Sequence, residues 1–160
     1  MKTELQKQLL AKYPEFFAHT KKKIYVGEKP MEEEIQELVK QEEIVEPIQF
    51  GVSCGDGWYW LLDNLMDIIK HYCHDNDVAP IQITQIKEKF GGLRFYYNGG
   101  DDMIDGMAWL AEHMSYQVCE YCGTTENVGH TQGWLSTICL NCREKTPNRK
   151  NLKWELNEKV

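Results

Sequence analysis

No run of apolar residues in this chain of 160 approaches the roughly 18 that a membrane-spanning helix needs. The opening stretch MKTELQKQLL lacks the apolar segment of a secretory leader, so the expected location is the cytosol. Basic residues are in the minority, 18 Lys and Arg against 25 Asp and Glu, for a net charge of −7. That deficit argues against broad, sequence-independent coating of DNA, which rests on many Lys and Arg contacts to phosphate. The chain has no phosphate-cradling GxxxxGK(S/T) loop, no assignable Ser-His-Asp arrangement, no internal repeat and no low-complexity tract. Histidine is scarce as well. His71, His74 and Asp75 invite a catalytic-metal reading, but five histidines in all leave no partner pair at suitable spacing. A polar helix end, where His suits the dipole, accounts for them. No catalytic residue is assigned, and the expected class is a binding protein rather than an enzyme.

What is present suffices for one domain, or one domain with a small module: 42% apolar residues and 11% aromatics. Residues 3–18 predict a short helix with Leu5, Leu9, Leu10 and Tyr13 on one face, ended or kinked by Pro14. Residues 30–45 predict a second helix, opened by Pro30. Between Glu28 and Glu46 stand eight Glu against Lys29 and Lys40, a solvated face or a docking surface for a basic partner. A short strand is expected over residues 48–52. Asp56 can then cap a helix with Trp58, Leu61, Leu62, Leu65, Ile68, Ile69 and Tyr72 at apolar positions. Ile81 and Ile83 alternate with polar residues as a strand does, Gly91-Gly92 signals a hairpin turn, and residues 93–97 return as the second strand. Asp101 or Asp102 opens a helix reaching about residue 117, with Met103, Met107, Trp109, Leu110 and Met114 among its apolar positions.

The most specific pattern is Cys119-x2-Cys122-x16-Cys139-x2-Cys142. Two thiolates two residues apart can grip one ion from one side, and the second pair completes a tetrahedron. Four Cys ligands leave no position for water, so the expected ion is a structural Zn2+. Gly123 follows the first pair, where a left-handed residue is often needed. His130 lies inside the loop as an alternative ligand, and a redox dithiol is the rival reading. After the site, Arg143, Lys145, Arg149, Lys150 and Lys153 form a basic tail that can offset the thiolates or touch nucleic acid. Of the two remaining cysteines, Cys54 in SCGDGW is either a small apolar packing residue or a nucleophile beside a helix start.

The stretch IKEKFGGLRFYYNGG concentrates Lys87, Lys89 and Arg94 with four aromatics in an acidic chain. Strand alternation puts Leu93, Phe95 and Tyr97 on one face and Arg94 with Tyr96 on the other. Lys87 and Lys89 share one side of the facing strand. Arg94 beside Tyr96, next to backbone amides at a diglycine, suits a phosphate and a stacked base. Trp58 and Trp60, after the GDG turn, supply a further stacking wall. The plainer reading is a basic strand that keeps a sheet edge from aggregating.

Four ordered blocks, SCGDGWYWLLDNL, QIKEKFGGLRFYY, AEHMSYQVCEYCG and GWLSTIC, resemble a family of small phage and prophage proteins over residues 51–142. The resemblance implies a phage-related origin, hence a host bacterial cytosol, and a zinc knuckle. It implies no particular chemistry, though phage accessory proteins of this size often act on host defences.

The expected architecture is α+β: a β-hairpin or small antiparallel sheet packed by amphipathic helices, with a C-terminal four-Cys zinc knuckle. The expected divisions are a helical N-terminal extension (1–47), an α+β core (48–118), the knuckle (119–145) and a basic, polar tail (146–160). The expected function is sequestration of a nucleotide or other phosphate-bearing small ligand through Lys87, Lys89, Arg94, Tyr96 and Trp58. Two alternatives stand beside it: an adaptor binding a host protein through its acidic N-terminal helices, and a zinc-ribbon nucleic-acid binder.

Overall fold

The computed structural model describes residues 1–17 and 51–157. The acidic helix expected over 30–45, and the beginning of the strand expected over 48–52, lie outside the described residues. Among the described residues no helix is long and apolar enough to cross a membrane.

The chain is α+β, as expected. Helix α1 (Thr3–Lys12) and the short α2 (Pro14–Phe17) come first, divided at Tyr13 because Pro14 cannot continue the α1 hydrogen-bond ladder. They are part of the main core and not an appended extension: Leu9, Tyr13, Phe16 and Phe17 are buried with the central residues. The Tyr13 hydroxyl donates to the Asp63 backbone oxygen at 2.8 Å, which ties the α1–α2 junction to the next helix.

Strand β1 (Val52–Ser53) leads into a 3-10 turn (Asp56–Trp58) and then helix α3 (Tyr59–Asp75). Asp56 does not cap this helix. The intervening 3-10 turn moves the helix start to Tyr59, and the Asp56 carboxylate instead accepts the Lys2 backbone N–H at 2.7 Å. Leu61, Leu62, Leu65, Met66, Ile69 and Cys73 form the buried stripe of α3, at about 1.5–3 kcal/mol for each large side chain fully buried. Ile68, expected on that stripe, faces out.

Strands β2 (Gln82–Lys89) and β3 (Gly92–Asn98) form an antiparallel hairpin, and β1 runs parallel to β2 on its other edge. A bulge between Ile83 and Gln85 shifts the alternation by one residue. Ile83 and Ile86 therefore both face the core, and Lys87 is free to pair with Arg94 on the opposite face. The turn is Phe90-Gly91 rather than Gly91-Gly92: Lys89 pairs with Gly92, and both turn residues have positive φ, 54° and 79°. Asp101 caps helix α4 (Asp102–Met114), its carboxylate accepting the Met103 and Ile104 N–H groups at 3.1 Å. A 3-10 turn (Ser115–Gln117) ends it. The outer edge of β3 does not stay open. Leu93 N–H donates to Ser115 Oγ at 2.9 Å and Phe95 N–H to Glu112 Oε1 at 2.8 Å, so the end of α4 caps the ladder.

A second, smaller sheet follows in the order β5-β4-β6, with β4 (Val128–Thr131), β5 (Thr137–Cys139) and, after helix α5 (Leu140–Lys145), β6 (Trp154–Leu156). Strand β6 lies in what the sequence marks as a polar tail. Its pairing is possible because residue 129 is glycine: a Cβ there would stand 2.1 Å from Glu155 O and 2.6 Å from the Trp154 ring.

Candidate functional site

The four cysteines of the knuckle converge. Cys119 and Cys122 lie on a tight turn closed by Gly123 N–H donating to Cys119 O at 2.8 Å, with Gly123 at φ +78°. Cys139 ends β5 and caps α5, whose first turn carries Cys142. All four sulfurs lie within 4.8 Å of one another, and Cys122 Sγ is 3.7 Å from Cys139 Sγ. A tetrahedron with metal–sulfur bonds of about 2.3 Å has edges of about 3.8 Å, so the donor set fits a single ion. His130 is not among the ligands. It sits in β4 with Nδ1 3.0 Å from Asn157 Oδ1.

The knuckle sits on the GDGW loop, and this contact explains the glycines of that motif. Gly57 N–H donates to Glu120 O at 2.8 Å, and Gly55 N–H donates to the Glu120 carboxylate at 2.9 Å. A Cβ on Gly57 would lie 2.2 Å from Cys119 O, and one on Gly55 2.2 Å from Glu120 O. Trp58 is completely buried beneath, its indole N–H donating to Val118 O at 2.9 Å. Trp58 is therefore a core anchor for the knuckle and cannot be a stacking wall for a ligand.

Of the other expected ligand residues, Lys87, Arg94 and Tyr96 share a face. Lys87 and Arg94 are cross-strand partners, and the Lys87 ammonium lies 5.2 Å from the centre of the exposed Tyr96 ring. Arg94 is engaged within the fold. Its guanidinium donates to Leu93 O at 2.6 Å and to the Tyr116 hydroxyl at 3.2 Å, and lies 3.9 Å from the Glu112 carboxylate. Tyr116 and Glu112 together hold its charged form, raising its pKa above the ordinary value. Lys89 stands apart from this group at the hairpin tip, 5.3 Å from the Phe90 ring centre.

That tip forms one wall of a cleft of about 500 Å³, lined by Glu88, Lys89, Phe90, Gly133, Trp134 and Leu135. The walls are pinned to each other. Thr137 Oγ1 donates to Gly91 O across them at 2.6 Å, while within the hairpin wall Glu88 accepts the Gly91 N–H at 2.7 Å. Thr131 Oγ1 donates to Trp134 O at 2.6 Å, which holds the β4–β5 loop. Phe90 and Trp134 are 68% and 66% exposed. Arg149 lies 5.6 Å from the Trp134 ring and is held there by a 2.9 Å bond from Nε to Ser136 Oγ. Trp134 and Arg149 stand 15 positions apart, too far for sequence pattern to pair them. Phe90 carried a readable signal: a bulky residue stands before Gly in a tight turn where Asn or Asp is favoured.

Cys54 is buried, and burial pushes its thiol up to about 12, so it packs as an apolar residue and offers no thiolate near neutral pH. His71 and His74 are exposed, facing Asp67 O at 2.8 Å and Asp75 at 3.0 Å. Among the described residues the four cysteines form the only group of three or more side chains placed to hold a metal. The fold and site define an α+β protein with a cluster of four cysteines, placed so that they could hold a metal ion, docked on its core. Comparison with protein-family models, curated proteins and solved structures finds no match to this chain.

Proposed function

We propose that this is a zinc-stabilised, non-enzymatic binding protein of phage type that sequesters a flat, phosphate-bearing ligand of the nucleotide class in the cleft between Phe90 and Trp134. The carrying observation is Phe90. A non-glycine residue at φ +54° costs about 1–2 kcal/mol, yet the turn uses it to hold an aromatic ring in water opposite a second exposed ring. Each ring already faces a cation, Lys89 or Arg149, so a base between the rings would place its phosphate beside positive charge. Lys87 and Tyr96 extend the same strand face for a longer ligand, while Arg94 braces the sheet. Four thiolates in a closed tetrahedral set favour zinc in a structural role, with the knuckle positioning β5 and its Thr137 pin.

The test is equilibrium binding of mono-, di- and cyclic nucleotides to the zinc-loaded protein, followed by mass spectrometry of the released ligand. Retention of an intact nucleotide supports the reading. Phe90→Gly and Trp134→Ala should each weaken it by about 5- to 150-fold, the equivalent of about 1–3 kcal/mol of base stacking. No retained nucleotide, or affinities unchanged in both variants, refutes it.

A further inference from the structure

The cleft between Phe90 and Trp134 contains one group that phosphate binding leaves unexplained. Glu88 is acidic, in a site whose other charges are positive: Lys89 on its wall and Arg149 beside Trp134. The hairpin sets its place. Glu88 Oε1 accepts the Gly91 N–H at 2.7 Å, which folds the carboxylate back over the turn. Gly91 is also where the two walls meet. Its carbonyl accepts Thr137 Oγ1 at 2.6 Å, and a Cβ on it would lie 3.8 Å from Leu135 Cβ. The carboxylate therefore stands at the inner joint of the cleft, while the exposed rings and their cations stand at its rim. Glu88 Oε2 has no hydrogen-bond partner among the described residues, and Oε1 keeps a second lone pair.

A carboxylate at that depth selects the edge of a ring inserted between Phe90 and Trp134. Among the lining residues Glu88 has the single side-chain acceptor; the Lys89 ammonium and the Trp134 indole are donors, and Phe90, Gly133 and Leu135 carry no polar side-chain atom. A matching base must turn hydrogen-bond donors inward. Guanine has two side by side, its ring N1–H and its 2-amino group, spaced to meet the two oxygens of a carboxylate. Adenine sets its 6-amino group beside the N1 lone pair, and cytosine sets its 4-amino group beside the N3 lone pair. Either lone pair would face a carboxylate oxygen. Uracil flanks its one N–H with two carbonyl oxygens, which the carboxylate repels. With the guanine edge inward, the ribose and phosphates project to the rim, beside Lys89 and Arg149 and away from Glu88.

We propose that the cleft is selective for guanine nucleotides and that Glu88 is the residue that reads the base. This selectivity rests on nucleotide binding in the cleft, as proposed above, and adds the identity of the base. The test is calorimetric titration of GDP, inosine diphosphate, ADP, CDP and UDP into the full-length, zinc-loaded protein, repeated with Glu88→Gln. GDP should bind about 5- to 150-fold more tightly than ADP, CDP or UDP, the discrimination of one bidentate pair. Inosine diphosphate lacks only the 2-amino group, so it loses one of the two bonds and should fall between GDP and ADP. Glu88→Gln keeps an oxygen to accept the Gly91 N–H and exchanges the other for an amide donor. It should remove the preference for GDP over ADP with thermal unfolding unchanged. If that variant fails to fold, the comparison of GDP with inosine diphosphate in the parent protein decides. Equal affinity for GDP and ADP overturns guanine selectivity and leaves nucleotide binding standing. So does inosine diphosphate binding as tightly as GDP, or a folded Glu88→Gln that keeps the full preference. Binding of none of the five overturns both.

Discussion

Gly57→Ala should be among the most destabilising single-methyl additions in this protein. The added Cβ would lie 2.2 Å from Cys119 O, 2.4 Å from Gly123 N and 2.8 Å from Cys122 N. All three are backbone atoms of the knuckle, so no side-chain rotation relieves the clash and the knuckle must lift by about 1 Å or more. Lifting breaks the bonds that seat it: Gly57 N–H to Glu120 O, Gly55 N–H to the Glu120 carboxylate, and the Trp58 indole to Val118 O. A neutral hydrogen bond contributes about 0.5–1.5 kcal/mol and a charged one about 1.5–3, while overpacking adds about 1–3. Because the lifted groups regain water, the expected loss is about 3–5 kcal/mol, a large part of a typical 5–15. Gly106→Ala is the matched control. It lies inside α4, and its Cβ would meet nothing within 4 Å, so the same chemical change should stabilise by about 0.5–1 kcal/mol. Urea unfolding of the metal-loaded variants, followed by circular dichroism, reads both. The reasoning fails if Gly57→Ala comes within about 1 kcal/mol of the parent protein, or if the two substitutions shift the midpoint in the same direction.

Phe90→Gly should raise the unfolding free energy by about 1 kcal/mol by relieving the φ +54° turn, even as it weakens ligand binding; a fall in stability would show that the ring is a packing element. Glu112→Ala removes the acceptor of Phe95 N–H and should cost about 1–3 kcal/mol and promote self-association at the uncapped β3 edge, measured by light scattering, whereas Glu112→Gln should retain most of both properties. Removing metal with a strong chelator, or substituting Cys119→Ser, should unfold the second sheet and increase proteolysis after residue 118, with metal analysis of the intact protein giving one zinc per chain. Acid should weaken the Asp101 cap. The Tyr72 hydroxyl first, and then the Ile104 and Met103 N–H groups, hold this carboxylate's pKa below its ordinary 3.8. Its stabilisation is thus fully present above that value and is lost as pH falls through the lowered folded-state pKa. Thermal unfolding of the parent and Asp101→Asn should differ by a constant amount near neutral pH and converge at the acid end.

Local pattern alone determined a good deal of this protein. Apolar spacing marked the helix through Leu61, Leu65 and Ile69, alternation and glycine marked the hairpin, and the two CxxC pairs marked the metal cluster. These features are legible because each is set by contacts within a few residues, or by a ligand chemistry with few solutions. Tertiary structure decided the rest. The bulge at Ile83 and Gln85 set which face received Ile86 and which Lys87, and a phase shift of one residue leaves no trace in the composition of a strand. Trp58 and Arg94 carry the residue types of a ligand site, but their partners Val118, Glu112 and Tyr116 come from segments far along the chain and hold them as structural braces. The GDGW glycines read as a turn and serve as the seat of a knuckle more than 60 residues away. The aromatic cleft joins Phe90 to Trp134 for the same reason: its two walls meet only because Thr137 bonds to Gly91 across 46 residues. Contacts of that range depend on how the layers pack, and packing is a property of the whole chain.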